Sequence, residues 1–128
     1  MTYLSLVLIV KIGITLLGAV VPFLFGPSSL AASVLSMERP PALLQRLYGV
    51  AILALLVGYG FGIPAAEAGK VPWGVLSMGL VSNAGAAFLL ATLGRGPMPK
   101  LGAALFGAIA AALAACLLLP EIAITPAF

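Results

Sequence analysis

The stretch RLYGVAILALLVGYGFGIP, from Arg46 to Pro64, decides the fold of this chain. It carries no charge after Arg46 and ends on a proline, which is how a helix that crosses a lipid bilayer is usually bounded. Its length is close to the run of about 20 apolar residues that spans the hydrocarbon core. The stretch therefore predicts a transmembrane helix.

Three further stretches have the same character, and together the four predict an all-α membrane protein, a four-helix transmembrane bundle. The predicted spans cover residues 3–25, 45–64, 73–93 and 101–119. Of the 128 residues, 63% are hydrophobic and 7% are charged, which lies outside the range of soluble globular proteins. Because little sequence remains outside the spans, we expect one transmembrane domain over residues 1–128 with no separate soluble lobe.

The longest connection joins the first two spans and contains the segment SSLAASVLSM, residues 28–37. Leu30 and Val34 are four residues apart, so they share one face of a helix. This spacing predicts a short interfacial helix between spans 1 and 2. The alternative is an ordered loop that only connects the spans.

Basic residues are distributed unevenly among the connections and predict the orientation of the chain. Arg39 and Arg46 flank the first connection and Arg95 and Lys100 flank the third, whereas the second holds only Lys70. Cytoplasmic connections carry an excess of basic residues, so the first and third should be cytoplasmic and both termini outside. The start of the chain lacks the features of a cleaved signal peptide, so we expect the first span to be retained.

Lys11 lies inside the first predicted span, roughly 12 Å from its start at 1.5 Å per residue. Thr15 and Pro22 follow at helical spacing on the same face, which should point into the bundle, and Pro22 should kink the last turns. A lysine at this depth is either an intramembrane site or a depth anchor that reaches the nearer interface. Glu67 and Glu121 are the carboxylates available to it on its side of the membrane.

Asn83 lies near the midpoint of the third span, where an amide needs hydrogen-bond partners. We expect it to face another helix, as an interhelical link or as a ligand contact. Lys11, Thr15 and Asn83 thus form a candidate intramembrane polar site, and one hypothesis is a small oligomeric transporter or channel that uses it. Tyr48 and Tyr59 are predicted to lie at the two membrane interfaces.

Small residues recur four apart in the last three spans, which lets helices approach each other closely. The predicted helix-packing residues are Gly58, Gly62, Gly79, Ala103, Gly107, Ala111 and Ala115. These faces favour a first hypothesis: a non-enzymatic membrane subunit that packs with itself, as a homo-oligomer, or with a larger membrane complex. The partners expected on either hypothesis include the lipid bilayer.

Missing residue types exclude several classes of chemistry. The chain has no histidine and no aspartate, which excludes bis-histidine haem, histidine-ligated metals and a Ser-His-Asp triad. The lone Cys116 offers neither a disulfide within the chain nor a metal cluster. We therefore predict no catalytic residue, no metal and no cofactor. The net charge of +3 fits lipid headgroups better than nucleic acid, which is not an expected partner.

Two motifs resemble a known group of proteins. They are FGP, residues 25–27 after the first span, and RLYGVAILAL, residues 46–55 at the start of the second. With these, roughly half of the chain resembles the DoxX-like group of small four-span bacterial membrane proteins. The resemblance implies a four-helix bundle in the bacterial inner membrane and permits a role as an accessory subunit of an oxidoreductase complex. It carries over no functional residue.

Overall fold

The structure, a computed structural model, describes residues 1 to 128 and is all-helical apart from its turns. Four helices are long and apolar enough to cross a membrane: α1 (Tyr3–Phe25), α3 (Ala42–Glu67), α4 (Trp73–Leu93) and α5 (Pro97–Leu118). Two short helices are α2 (Ser28–Leu35) and α6 (Pro120–Ala123). The predicted all-α class with four long apolar helices is confirmed, and α2 lies between the first two of them.

Prolines lie at the starts of α3 and α5. Both helices are longer than the sequence predicted. α3 starts directly after Pro41, and α5 starts at Pro97, because a proline in the first turn has no intrahelical hydrogen bond to lose. α3 also continues past Pro64. The turn that follows this proline is closed by a 3.0 Å hydrogen bond from the Ala68 N–H to the Pro64 carbonyl.

α1 contains one wide turn, Leu16–Val20, which has π-helical hydrogen bonding. The Val21 N–H donates to the carbonyl of Leu16, five residues back. Pro22 comes next; it has no N–H to give to the carbonyl of Gly18, and its ring crowds that carbonyl. The wide turn accommodates this proline, and such turns are frequent at functional sites.

The end of α1 is held against α3 by the side chains of Gln45 and Arg46. The last carbonyls of a helix have no donor within the helix. Gln45 Nε2 lies 3.3 Å from the Phe23 carbonyl oxygen and 3.1 Å from that of Gly26. Arg46 Nη1 donates to the same two carbonyls and to that of Leu24, and its charge complements the negative end of the helix dipole. These contacts fix the crossing of α1 and α3.

One end of the bundle is packed more tightly than the other. The packed end, here called the Glu67 end, is where α3 leads into α4 and where the Thr2 N–H donates to Glu67 Oε1 at 2.9 Å. Its core contains fully buried leucines: Leu4, Leu8, Leu76 and Leu113. The opposite end, here called the α2 end, holds a cavity of about 310 Å³ between the helices. The core therefore closes the Glu67 end and leaves room toward the α2 end.

Helices α4 and α5 pack along most of their length because small residues lie between them. Gly79 is in the closest contact: a methyl group there would lie 2.8 Å from Leu113 Cδ1 and 2.8 Å from Tyr59 Cε1. Further along, a methyl group at Gly107 would lie 3.9 Å from the Ala87 Cβ. The two helices form a closely packed pair.

The seven residues predicted from small-residue spacing differ in how far the chain buries them. Their burial falls into three classes: Gly62 and Gly79 are buried, Gly58, Ala103 and Gly107 are half-buried, and Ala111 and Ala115 are exposed. Most of this small-residue surface is therefore used for packing within one chain.

Replacing Gly79 by alanine is expected to destabilise the fold by about 1–3 kcal/mol, the usual cost of overpacking a core. The matched control is Gly85→Ala on the same helix, because a methyl group at Gly85 meets no atom within 4 Å. We expect the control to be neutral or slightly stabilising, since alanine favours a helix over glycine. Thermal unfolding of both variants in one detergent measures the difference, and equal midpoints would contradict this packing.

Candidate functional site

The residues predicted to form a polar site line a single cavity of about 170 Å³ between the long helices. Lys11 and Thr15 come from α1 and Asn83 comes from α4, with exposed fractions of 4%, 7% and 1%. Tyr59 on α3 and Ser82 on α4 also line the cavity. We call these five residues the polar site. Helix geometry places Lys11, Tyr59 and Asn83 at similar depth, roughly 12 to 15 Å from the Glu67 end at 1.5 Å per residue.

Lys11 has no counter-ion within the chain. Its Nζ lies 4.3 Å from the centroid of the Tyr59 ring, whose face attracts a cation. The one ion pair of the structure joins the Met1 amino group to Glu67 at 3.8 Å, and Glu121 is exposed, so neither candidate carboxylate reaches Lys11. A depth anchor would extend its ammonium to the surface of the bundle. The buried position of Lys11 therefore favours an interior site.

Asn83 fixes the Tyr59 ring below the lysine. Its Nδ2 donates to the Gly79 carbonyl at 2.6 Å and to the Tyr59 hydroxyl oxygen at 3.3 Å. The bond to Tyr59 joins α4 to α3, and the bond to Gly79 lies within α4. They also use both hydrogens of the amide group, so the Asn83 carbonyl oxygen is the part of the side chain left for a further partner.

The sequence predicted that Tyr59 lies at a membrane interface, but the structure buries it completely among the helices. The prediction was wrong because α3 does not end at Pro64; it continues to Glu67, which moves Tyr59 about two turns inside the helix. Tyr48, near the other end of α3, is exposed and meets Phe23 edge to face with ring centroids 5.3 Å apart. The distance of Tyr59 from the end of α3 could have identified it as a site residue. Once that end is known to be Glu67, Tyr59 lies as far inside α3 as Lys11 lies inside α1.

Thr15 carries a buried hydroxyl without a hydrogen-bond partner. A helical threonine usually bonds to a carbonyl one turn back, and a buried hydroxyl left unpaired costs about 1–3 kcal/mol. Thr15 lies directly before the wide turn of α1 and lines the cavity beside Lys11. Its hydroxyl is thus available to a bound group.

The cavity at the polar site adjoins the cavity of about 310 Å³ toward the α2 end. The two share Tyr48, Ile52 and Phe106 among their lining residues, and α2 contributes Val34 and Leu35 to the outer one. Together they form a vestibule with the polar site at its inner end. The buried leucines of the Glu67 end close the opposite side.

Comparison of the chain with protein-family models, with curated proteins and with solved structures finds no match. The resemblance to the DoxX-like group therefore stays a prediction. Histidine, cysteine and acidic side chains, which hold most protein-bound metal ions, form no cluster of three or more in the structure. The polar site offers one ammonium group, three hydroxyls and one amide.

Replacing Lys11 by methionine is expected to raise the stability of the purified protein by about 1 kcal/mol or more. Burying an ammonium without a counter-ion costs several kcal/mol, and the ring contact returns only about 2 kcal/mol. Lys70→Met is the control, because Lys70 is exposed and its replacement should leave the midpoint of thermal unfolding unchanged. A midpoint for Lys11→Met below that of the wild type would show that Lys11 is a stabilising residue.

Proposed function

We propose that this chain is a multi-pass, non-enzymatic membrane protein that binds an anionic ligand at Lys11. The observation that supports it is the buried ammonium, which has no carboxylate partner and lines a cavity of about 170 Å³. A buried charge normally requires an opposite charge, and an anionic ligand would supply it. Ionisable residues within membrane spans commonly mark ligand or ion sites. Thr15 and Asn83 would add hydrogen bonds to the same ligand.

The proposal includes a location and an orientation. The length and composition of the four long helices support insertion in a membrane, and the resemblance to the DoxX-like group favours the bacterial inner membrane. The α2 end carries Arg39, Arg46, Arg95 and Lys100, whereas the Glu67 end has Lys70 in its connection. The α2 end would then face the cytoplasm with α2 in the interface, and both termini would be outside.

The geometry favours a binding protein or a transporter over an open channel, because buried leucines fill the Glu67 end. A ligand at Lys11 could cross to that side only after a rearrangement of the bundle or with a second copy. Assembly with itself or with a larger complex stays a prediction. Among the seven predicted helix-packing residues, Ala111 and Ala115 are exposed and therefore accessible to another chain.

Anion binding should depend on the charge of Lys11. In phosphatidylcholine nanodiscs at constant ionic strength, we expect at least one of chloride, phosphate, acetate and decanoate to raise the unfolding midpoint of the wild type. Lys11→Gln should need about tenfold more anion or more, because a charged hydrogen bond contributes about 1.5–3 kcal/mol. Lys70→Gln is the control and should respond like the wild type. An identical response of Lys11→Gln and wild type to every anion would contradict the proposal.

The orientation can be measured with single cysteines in a Cys116→Ala background. Ser29→Cys on α2 and Ala68→Cys after α3 are exposed positions at opposite ends of the bundle. A membrane-impermeant maleimide added to spheroplasts should label position 68 and not position 29, and permeabilised cells should label both. Labelling of position 29 alone from outside would reverse the orientation, and labelling of both would contradict membrane insertion.

A further inference from the structure

We propose that the ligand at Lys11 is a single-chain lipophilic carboxylate, which enters sideways from the bilayer between α1 and α5. This inference rests on the proposed anion site and adds the chemical class of the ligand and its route. Three features support it: the weak contact between these two helices, the apolar lining of the gap, and the small set of polar groups in the cavity behind the gap.

Helices α1 and α5 touch each other at few points, in contrast to the closely packed pair α4 and α5. Two grooves lie along the line where they face each other, with volumes of about 320 Å³ and about 210 Å³. Both are lined by Ile14, Leu105 and Ile109, so they are adjoining parts of one gap, which we call the α1–α5 seam. Lys11 lines the first groove with the aliphatic part of its side chain, and Thr15 lines the second. Both residues also line the cavity of the polar site, where the Lys11 ammonium lies above the Tyr59 ring.

The lining of the seam selects for an apolar chain. Apart from Lys11 and Thr15, its side chains are aliphatic or aromatic residues, methionine and small residues, including Val10, Ala108 and Phe106. A hydrated inorganic ion would lose its water there without new partners. An alkyl chain already dissolved in the bilayer exchanges one apolar surface for another, so it enters without a desolvation cost. The outer cavity of the vestibule, toward the α2 end, has Tyr48 as its one polar side chain, so it offers a hydrated ion no better route.

The polar groups directly behind the seam, in the cavity of the polar site, select for a carboxylate. There is one positive charge, that of Lys11, and one hydroxyl without a partner, that of Thr15. A carboxylate has a single charge and two oxygens, one for the ammonium and one for the Thr15 hydroxyl. A phosphate monoester carries close to two charges and would leave one without a counter-ion. Because Lys11 and Thr15 line both the seam and the cavity of the polar site, a head group in the cavity and a tail in the seam would belong to one molecule.

Three probes distinguish the contribution of the carboxylate head from that of the alkyl tail. They are decanoate, decanol and acetate. Each is added to wild-type protein in phosphatidylcholine nanodiscs, and the unfolding midpoint is followed against concentration. We expect decanoate to stabilise the protein at a concentration at least about tenfold lower than acetate, and decanol to have no effect. Acetate as effective as decanoate would overturn the lipophilic ligand, and decanol as effective as decanoate would overturn the carboxylate.

Ala108→Trp tests the route, because Ala108 is exposed and lines the seam, where an indole would fill the groove. Ala104→Trp is the matched control, one turn away on the same exposed side of α5 and outside both grooves. Ala108→Trp should weaken the decanoate response about tenfold or more and leave any acetate response unchanged, while Ala104→Trp behaves like the wild type. Val10→Trp fills the seam from α1 and should act like Ala108→Trp if that variant does not fold.

The outcomes distinguish this inference from the proposed function. Undiminished decanoate binding by both seam variants would overturn the sideways route. Lys11-dependent stabilisation by acetate or chloride without a preference for decanoate would overturn the lipophilic ligand and leave the anion site standing. A decanoate response that Lys11→Gln does not change would overturn this inference, and an unchanged response to acetate and chloride as well would overturn the anion site with it.

Discussion

The burial of an ammonium group without a counter-ion is the constraint on which the rest of this structure depends. Water or a carboxylate normally accompanies such a charge, and Lys11 has neither a carboxylate nor an exposed position. The face of Tyr59 at 4.3 Å attracts the charge but does not neutralise it. Asn83 holds that ring through a hydrogen bond to its hydroxyl. Residues that lower stability in this way are commonly retained because function requires them.

Uneven packing of the helices creates the space around this charge. Gly79 lets α4 approach both α5 and the Tyr59 ring so closely that a methyl group would overlap them. Buried leucines close the Glu67 end. At the other end, Gln45 and Arg46 hold α1 by its last carbonyls. With α1 fixed to α3 and α5 fixed to α4, the two helix pairs touch each other at few points. One of the gaps between them lies between α1 and α5, beside Lys11.

The class of fold and part of the polar site could be predicted from the sequence. Hydropathy alone locates the four long helices, because apolar runs of this length are rare outside membranes, and polar residues within such runs point to Lys11, Thr15 and Asn83. Tyr59 was missed because its depth depends on where α3 ends, and a proline at position 64 does not show whether the helix continues. Small-residue spacing indicates close contact but not the partner, so it could not show that most of these contacts lie within one chain.

The position of the Lys11 ammonium is the central claim, and solid-state NMR can measure it in phospholipid bilayers. With ¹⁵N-labelled lysine and ¹³C-labelled tyrosine, dipolar recoupling should show the Lys11 Nζ in contact with the Tyr59 ring, as the 4.3 Å distance requires, and remote from the ³¹P of the headgroups. Lys11→Met removes the signal and assigns it. A contact between Nζ and headgroup phosphorus, with no contact to the ring, would contradict the account and make Lys11 a depth anchor.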